Sequence, residues 1–206
     1  MEFFELALAR RSVRIYEPGL EISDRELRQI FDTVILTPSS FNIQHWKFVV
    51  VRDQQRKTAL RDLSFGQVQV EQSAAVVLVC GRLDAYTDAS RIYSAADLST
   101  REKYVPMIEG SYAGKEALQR EEAVRSGSLA AMSLMYAAKA AGWDSGPMIG
   151  FDAKKVGAML HLDENTVPVM MIAVGKALDG VQPERGYRRP VEEIVKLEFL
   201  DGDSLV

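Results

Sequence analysis

Three arginines stand close together near the start of the chain, in the stretch ALARRSVRIY at residues 7–16. Arg10, Arg11 and Arg14 carry this positive charge in a chain whose formal net charge is −4. Guanidinium groups can hold a phosphate or a carboxylate through paired, planar hydrogen bonds, so the cluster is a candidate anion site. A solvated basic patch at a helix end is the alternative, because cations there complement the helix dipole. This segment alone leaves both interpretations open.

Three further stretches are rich in hydrogen-bonding groups. TPSSFNIQHW, at residues 37–46, lies between a predicted helix and a predicted strand, and is either an ordinary loop or part of a binding site. FGQVQVEQS places Gln67 and Gln69 on one face if that segment is extended. RGYRRPVEEI, which begins at Arg185, is a second arginine cluster ahead of the last predicted strand.

The composition indicates how many domains the chain forms, which partners its charge does not attract, and in which compartment it is expected. The chain has 206 residues, of which 47% are hydrophobic, and this suits one domain over residues 1–206. Its 25 basic and 29 acidic residues create no global field that would attract nucleic acid or a membrane surface. The lone Cys80 forms no internal disulfide, and the first residues do not follow the order of a secretory signal, so we expect a cytoplasmic protein.

Several familiar reaction centres are missing from the sequence. No G-x-G-x-x-G follows a predicted strand, and GSYAGKE has the wrong spacing for a phosphate-binding loop. With two histidines and one cysteine, neither a structural zinc site nor H-E-x-x-H can be built, so no metal is expected. No G-x-S-x-G occurs either. If the protein is an enzyme, a cofactor therefore carries the chemistry.

Local patterns predict helices alternating with strands. Helices are expected over Phe3–Ala9, from the capping box of Ser23 and Glu26 to a stop at Pro38, after Asp53, within GSLAAMSLMYAAKAAG and after Asp152. WKFVVV, AAVVLVC and VPVMMIAVG are predicted as strands covered on both faces, and VKLEFL, residues 195–200, as a strand buried on one face. GPMIGFD is predicted as a turn, and residues 85–120 as helices bordering a pocket. The sum is an α+β domain.

The order of these motifs resembles the FMN-dependent nitroreductase family over roughly residues 3–196. The resemblance rests on Arg-Arg-Ser-Val-Arg, Pro-Ser-Ser-Phe-Asn-x-Gln-x-Trp, Gln-Val-Gln, Pro-Met-x-Gly-Phe-Asp and Arg before Pro-Val-Glu-Glu-Ile. It implies a central, mostly antiparallel sheet flanked by helices and a domain-swapped homodimer that exchanges its C-terminal strand. It also implies FMN at the dimer interface, NADH or NADPH as donor, and ping-pong transfer to nitroaromatics, quinones or related small molecules.

The resemblance also assigns roles to residues of this chain. Those implied at the FMN phosphate are Arg10, Arg11, Ser12, Arg185 and Arg188. Those implied at the flavin ring are Arg14, Gln67, Gln69, Pro147, Met148, Ile149 and Gly150, with the Ile149 N–H donating to N5. Those implied to come from the partner are Pro38, Ser39, Ser40 and Asn42, with Phe41 and His45 at the substrate pocket.

Three positions depart from the family pattern. Gly66 stands where many relatives carry Asn, which moves one flavin hydrogen bond to Gln67 or removes it. Ile149 replaces an acid found in several nitroreductases and makes the hydride face more apolar. His45 replaces a Pro, and a polar neighbour of the interface is favoured over a proton donor there. A dehalogenase or flavin-fragmenting enzyme of the same fold, or a non-enzymatic flavin-binding redox sensor, remain alternatives.

Overall fold

The computed structural model describes residues 2–181 and 183–205; the two ends of the predicted 1–206 domain lie outside the described residues. Its helices are α1 (Phe3–Ala9), α2 (Asp24–Val34), α3 (Gln54–Asp62), α4 (Val68–Gln72), α5 (Ala89–Ile92), α6 (Leu98–Tyr112), α7 (Glu116–Ala140), α8 (Ala153–Met159) and α9 (Val191–Ile194). Its strands are β1 (Trp46–Val51), β2 (Ala75–Arg82), β3 (Asp144–Met148) and β4 (Thr166–Gly175). Two short 3-10 helices cover Ser40–Asn42 and Ala85–Asp88. The α+β prediction is confirmed.

The predicted helix starts are set by side-chain caps. Ser23 and Glu26 form a reciprocal capping box at α2, where each satisfies a backbone N–H of the other. Asp53 accepts from the N–H of Arg56 at the start of α3, and Asp152 accepts from that of Lys155 at α8. The three predicted caps are confirmed. Helix α2 ends at Val34, short of Pro38.

The sheet has the order β1-β2-β4-β3, and every neighbouring pair is antiparallel. The three predicted strands form as expected, but only the central β2 is buried along nearly its whole length; β1 is an edge strand with partly exposed residues. Strand β3 was predicted as part of a turn because its sequence is DSGPM. Among the strands of the described residues it pairs only with β4, and on its other side Ser145 meets Ser12 in a single bridge. Such an edge position accepts Pro147, which has no N–H to donate to a second neighbour.

Helix α7 crosses the sheet and forms the centre of the core. It runs for 25 residues, beyond the segment between glycines that the apolar pattern predicts. Gly127 lies inside it because a Cβ there would stand 2.8 Å from Cγ2 of Val169 on β4. The helix therefore approaches the sheet closely at a glycine that the sequence suggests as a boundary. Leu129 is exposed, so within one chain the helix is not buried on all sides.

Two further segments are not extended within the single chain. Residues 195–200 form no strand within one chain; Lys196 makes one isolated bridge to Ser204 and the rest bends and turns, and the exchange of this segment with a partner stays a prediction. The segment from Gln67 to Gln69 is not extended, since Gln67 caps the short helix α4. Among the described residues no helix combines the length and apolar character that a membrane span requires.

Candidate functional site

The two arginine clusters of the sequence meet in one cavity of about 90 Å³. We call it the arginine pocket; its lining residues are Arg10, Arg11, Ser12, Pro183, Glu184, Arg185, Gly186 and Arg188. Five of these eight were predicted to bind a phosphate, and nearly the whole chain separates the first of them from the last. Tertiary structure therefore joins the candidates that spacing alone left far apart.

The amino-terminal half of the pocket is fixed against the sheet. The N–H of Val13 donates to the carbonyl of Ser145 at 3.0 Å, and Ser12 forms a parallel bridge with the same residue. The buried Tyr16 hydroxyl lies within 3.1 Å of the Ala173 carbonyl of β4. Gly146 leaves no room for a Cβ, since the carbonyl of Val13 occupies that space. These contacts lock residues 12–16 beside the strand that leads into Pro147.

The carboxyl-terminal half reaches the same pocket through Arg185. Its Nη2 donates to the carbonyls of Ala7 and Leu8 at 3.0 and 2.9 Å, at the end of α1. The Arg188 guanidinium donates to the carbonyls of Gly186 and Tyr187 within its own loop. This arrangement folds the second arginine cluster back over the first.

The charges in the pocket are not balanced by the protein. Nη1 of Arg10 is buried without a hydrogen-bond partner among the described residues. Burial lowers the pKa of Arg185, and the positive charges of the neighbouring arginines lower it further. Glu184 lines the cavity, but in the described part of the chain no carboxylate forms an ion pair with any of the pocket arginines. A buried guanidinium nitrogen without a hydrogen-bond partner is costly, so this group of positive charges suits an anion.

A second group of predicted residues lies next to the first. The side-chain amide of Gln67 donates to the carbonyl of Gly150 at 2.7 Å, and that of Gln69 donates to Oε1 of Gln67 at 2.8 Å. Nε2 of Gln69 is also 4.0 Å from the sulfur of Met148. The two glutamines and the loop after β3 therefore meet, although the segment that carries the glutamines is helical rather than extended.

This loop offers free donors to a ligand. Ile149 is 75% exposed, and within residues 2–181 and 183–205 its backbone N–H has no acceptor. Arg14 is exposed on the segment that runs beside β3. Gly66 has φ of 75°, a left-handed conformation that Asn also tolerates, so the departure at this position does not alter the backbone. The loop and the glutamines could thus hydrogen-bond a flat polar ring.

The remaining predicted residues lie elsewhere in the chain. Trp46, which follows the stretch 38–45, pairs with Gly81 of β2, and Gly81 pairs with Val167 of β4. Ser145, beside the arginine pocket, pairs with Val174 of the same strand. At about 3.3 Å per residue, Val167 and Val174 are roughly 23 Å apart along β4. No hydrogen bond or ion pair between described residues joins stretch 38–45 to the arginine pocket. Within one chain Ser39, Ser40 and Asn42 therefore do not line the arginine pocket, and Pro38 lines a separate cavity with Phe3 and Leu6 of α1.

His45 is 2% exposed, and its Nδ1 lies 3.1 Å from Oγ of Ser126 on α7. Its ring packs edge-on against Tyr112 with centroids 6.2 Å apart. Burial, and after it the positive charge of Arg82, lower the pKa of His45 to about 4. A neutral, enclosed imidazole fits the role of a structural neighbour better than that of a proton donor.

We expect the free energy of unfolding to decrease as the pH falls from 6.5 to about 4, because the two states of His45 bind protons differently. The unfolded chain protonates His45 below its ordinary pKa of 6.5, whereas the folded chain keeps it neutral until about pH 4. The folded state has its full stability with respect to His45 above pH 6.5. Between pH 6.5 and about 4 the free energy of unfolding decreases by about 2 to 3 kcal/mol. Denaturant titrations across the window measure it.

The matched controls use both histidines. His45→Asn should remove most of the pH dependence in this window, whereas His161→Asn should keep it. His161 is exposed and has φ of 57°, a conformation that Asn adopts readily. Equal pH slopes for the wild type and His45→Asn would contradict the assignment.

Sequence reasoning missed the tyrosines around these groups. Tyr16 fixes the first arginine segment, while Tyr93 and Tyr112 donate to the stretch that contains Ser40 and Phe41. The available signal was the set of tyrosines in residues 85–120, but spacing does not reveal which hydroxyl meets which backbone group.

Comparison with known proteins identifies relatives over nearly the whole chain. A model described as the nitroreductase family matches residues 7–176. The chain is 40% identical over 202 residues to "Putative NAD(P)H nitroreductase MhqN" of Bacillus subtilis strain 168, covering 95% of this chain and 98% of the relative. It is 32% identical to a Thermus thermophilus protein named NADH dehydrogenase, covering 92% of each.

A solved structure extends the comparison to a bound cofactor. The crystal structure of a "putative nitroreductase in complex with FMN" from Exiguobacterium sibiricum superposes with a TM-score of 0.88. The two chains are 32% identical, and the match covers 95% of this chain and 97% of the other.

Proposed function

The chain belongs to the nitroreductase family, and on this premise we propose that it is an FMN-dependent oxidoreductase that uses NADPH or NADH to reduce nitroaromatics, quinones or related acceptors. The observation that carries the proposal is the arginine pocket with the unpartnered Nη1 of Arg10. When bound between these residues, FMN would supply two-electron hydride chemistry, which suits a ping-pong sequence with two substrates.

The residues of the pocket fit the phosphate of FMN. Arg10 and Arg188 would hold the phosphate oxygens by charge-assisted hydrogen bonds, with Arg11 and Arg185 beside them and the Ser12 hydroxyl as a further donor. Desolvation and, after it, repulsion by the neighbouring arginines lower the pKa of Arg185, and a bound dianion would offset the repulsion. Binding of the phosphate would thus also neutralise the positive charge of the pocket arginines.

The adjoining residues fit the ring of the cofactor. Arg14 and Gln69 would face its pyrimidine edge, where a cation and an amide donor stabilise the negative charge that reduction adds. The unpaired N–H of Ile149 would donate at N5, while Pro147, Met148 and Gly150 border the ring. Gln67 holds Gly150 and so fixes the loop that bears this donor. The exposed Ile149 side chain gives the acceptor an apolar neighbour.

We further propose that two copies of the chain complete each site. Ser39, Ser40, Phe41 and Asn42 do not line the arginine pocket of their own chain, and with Pro38 before them they would reach the flavin from a partner. Residues 195–200, which form no strand within one chain, would pair with an edge of that partner. Phe199 and Leu200 are exposed in the single chain and would become buried there.

Steady oxidation of NADPH tests the proposed function. We expect purified protein to be yellow, to release intact FMN when denatured, and to oxidise NADPH or NADH continuously with menadione or a nitroaromatic present. Ping-pong kinetics should appear as parallel double-reciprocal lines. Flavin binding without turnover would favour the redox sensor, and colourless protein that no flavin reconstitutes would contradict the proposal.

A further inference from the structure

The stretch that is expected to cross to the partner has an unusual backbone. Phe41, Asn42 and Gln44 have φ angles of 49°, 55° and 57°, the left-handed region that side chains rarely adopt. Asn tolerates this conformation, but an aromatic residue such as Phe41 does not favour it. We call residues 39–44 the left-handed loop. A conformation of this kind persists only when its surroundings hold it in place.

The left-handed loop is held in part by hydrogen bonds between its own residues. The N–H groups of Asn42 and Ile43 donate to the carbonyls of Ser39 and Ser40, each at 3.0 Å. Ser39 Oγ accepts from the N–H of Gln44 at 2.9 Å, and the Gln44 side chain donates to the carbonyl of Asn42 at 3.2 Å. Among the described residues none of these internal bonds is made by Phe41, the residue least suited to the left-handed region, so they do not account for its conformation.

Two tyrosine hydroxyls from another part of the fold supply the rest. The Tyr112 hydroxyl at the end of α6 donates to Oγ of Ser40 at 2.9 Å. The Tyr93 hydroxyl, directly after α5, donates to the carbonyl of Phe41 at 3.3 Å. Two tyrosines at the ends of two different helices therefore hydrogen-bond to adjacent residues of the loop.

These tyrosines are themselves fixed by aromatic partners. Tyr112 stacks on Tyr86 with ring centroids 6.1 Å apart and planes inclined by 21°, and Tyr93 stacks on Tyr104 at 5.6 Å and 11°. Both pairs pack with Ile43 in a small hydrophobic cluster separate from the main core. The hydroxyls are therefore presented to the loop by rigid rings, at low entropic cost.

We infer that Tyr93 and Tyr112 are positioning residues, which hold the left-handed loop in the conformation that the flavin site of the partner requires. The inference rests on the proposed function, because it gives the loop a role in the partner's site. The two tyrosines do not touch the flavin; they act through Ser40 and Phe41. Residues 85–112 then serve as a clamp on the part of the site that the partner supplies.

Four single substitutions test the inference, two in the clamp and two as controls. Tyr93→Phe and Tyr112→Phe keep the stacked rings and remove the hydroxyls that reach the loop. Tyr86→Phe and Tyr104→Phe remove hydroxyls from the same stacks, and those hydroxyls have no hydrogen-bond partner among the described residues. Each control thus matches its test variant in chemistry and location.

The first measurement is hydrogen exchange in the flavin-free protein. The amides of residues 39–44 should exchange about fivefold faster in each clamp variant, the factor expected for one neutral hydrogen bond, and at the wild-type rate in both controls. Amides elsewhere should keep their wild-type rates. Unchanged loop exchange, or an equal increase throughout the protein, would overturn the inference.

The second measurement compares the affinities for FMN and riboflavin. Each clamp variant should bind both about fivefold more weakly, with the ratio of the two affinities unchanged, because the arginine pocket is intact. If the wild type binds FMN and the clamp variants bind it as tightly as the controls do, the role of the two tyrosines is overturned but the proposed function is not. Wild-type protein that binds no flavin would overturn the proposed function, and the exchange rates of the loop then decide on the clamp independently.

Discussion

Replacing Arg10 or Arg188 by alanine is expected to weaken FMN binding by roughly 10-fold to 150-fold for each substitution. Hydrogen bonds to a charged group contribute about 1.5 to 3 kcal/mol, and each 1.4 kcal/mol is tenfold in affinity. The buried Nη1 of Arg10 has no partner among the described residues, so the protein offers no bond that would replace the one to phosphate. Equilibrium titration of flavin-free protein with FMN measures the loss.

Arg189→Ala is the matched control for this prediction. Arg189 adjoins Arg188 in sequence but does not line the arginine pocket, so its removal should leave FMN affinity within about twofold. Arg10→Ala should also leave the flavin-free protein no less stable than the wild type, since the side chain makes no described hydrogen bond and its charge is repelled there. Equal effects of all three substitutions would show general electrostatics rather than a phosphate site.

Mixing two impaired variants is expected to restore about a quarter of the sites to full activity. In a two-fold dimer with shared sites, Arg10 of each chain meets Asn42 of its partner. A heterodimer of Arg10→Ala and Asn42→Gly then carries both lesions in one site and leaves the other wholly wild type. Random pairing after refolding an equal mixture makes about half the dimers heterodimeric, which gives the expected fraction. Glycine is used because Asn42 has φ of 55°.

A second mixture provides the control for shared sites. Arg10 and Arg188 line the same pocket of one chain, so a heterodimer of Arg10→Ala and Arg188→Ala carries one lesion in each site. This mixture should recover nothing. The activity of verified heterodimers decides the question, provided that each single variant is folded and clearly impaired. Absence of recovery in the first mixture would place both residues in a site made by one chain.

Local signals in the sequence predicted much of the fold. The caps Ser23, Asp53 and Asp152 act within one helical turn of the groups they satisfy, so short-range pattern is sufficient to place them. The apolar runs of β1, β2 and β4 also required no knowledge of their neighbours. Strand β3 was missed because its Gly-Pro sequence is acceptable only at a sheet edge, which is a property of the tertiary fold.

The parts of the site that were missed depend on contacts between distant segments. The helical conformation around Gln69 follows from the packing of α4 against α3, which the alternation of its residues does not show. Gly127 was interpreted as a helix boundary because its close contact with Val169 lies 42 positions away in sequence. Conversely, the arginine clusters were predicted to meet by family resemblance, and the structure brings them into one pocket.

Comparison of FMN with riboflavin tests the phosphate site most directly, because the two ligands differ only in the phosphate. Wild-type protein should bind FMN at least about 100-fold more tightly than riboflavin, as expected for two or more charge-assisted hydrogen bonds. In Arg10→Ala and Arg188→Ala this ratio should fall by the same factor as FMN affinity, while riboflavin affinity stays constant. Equal affinities of the wild type for both flavins would contradict the assignment of the arginine pocket to the phosphate of FMN.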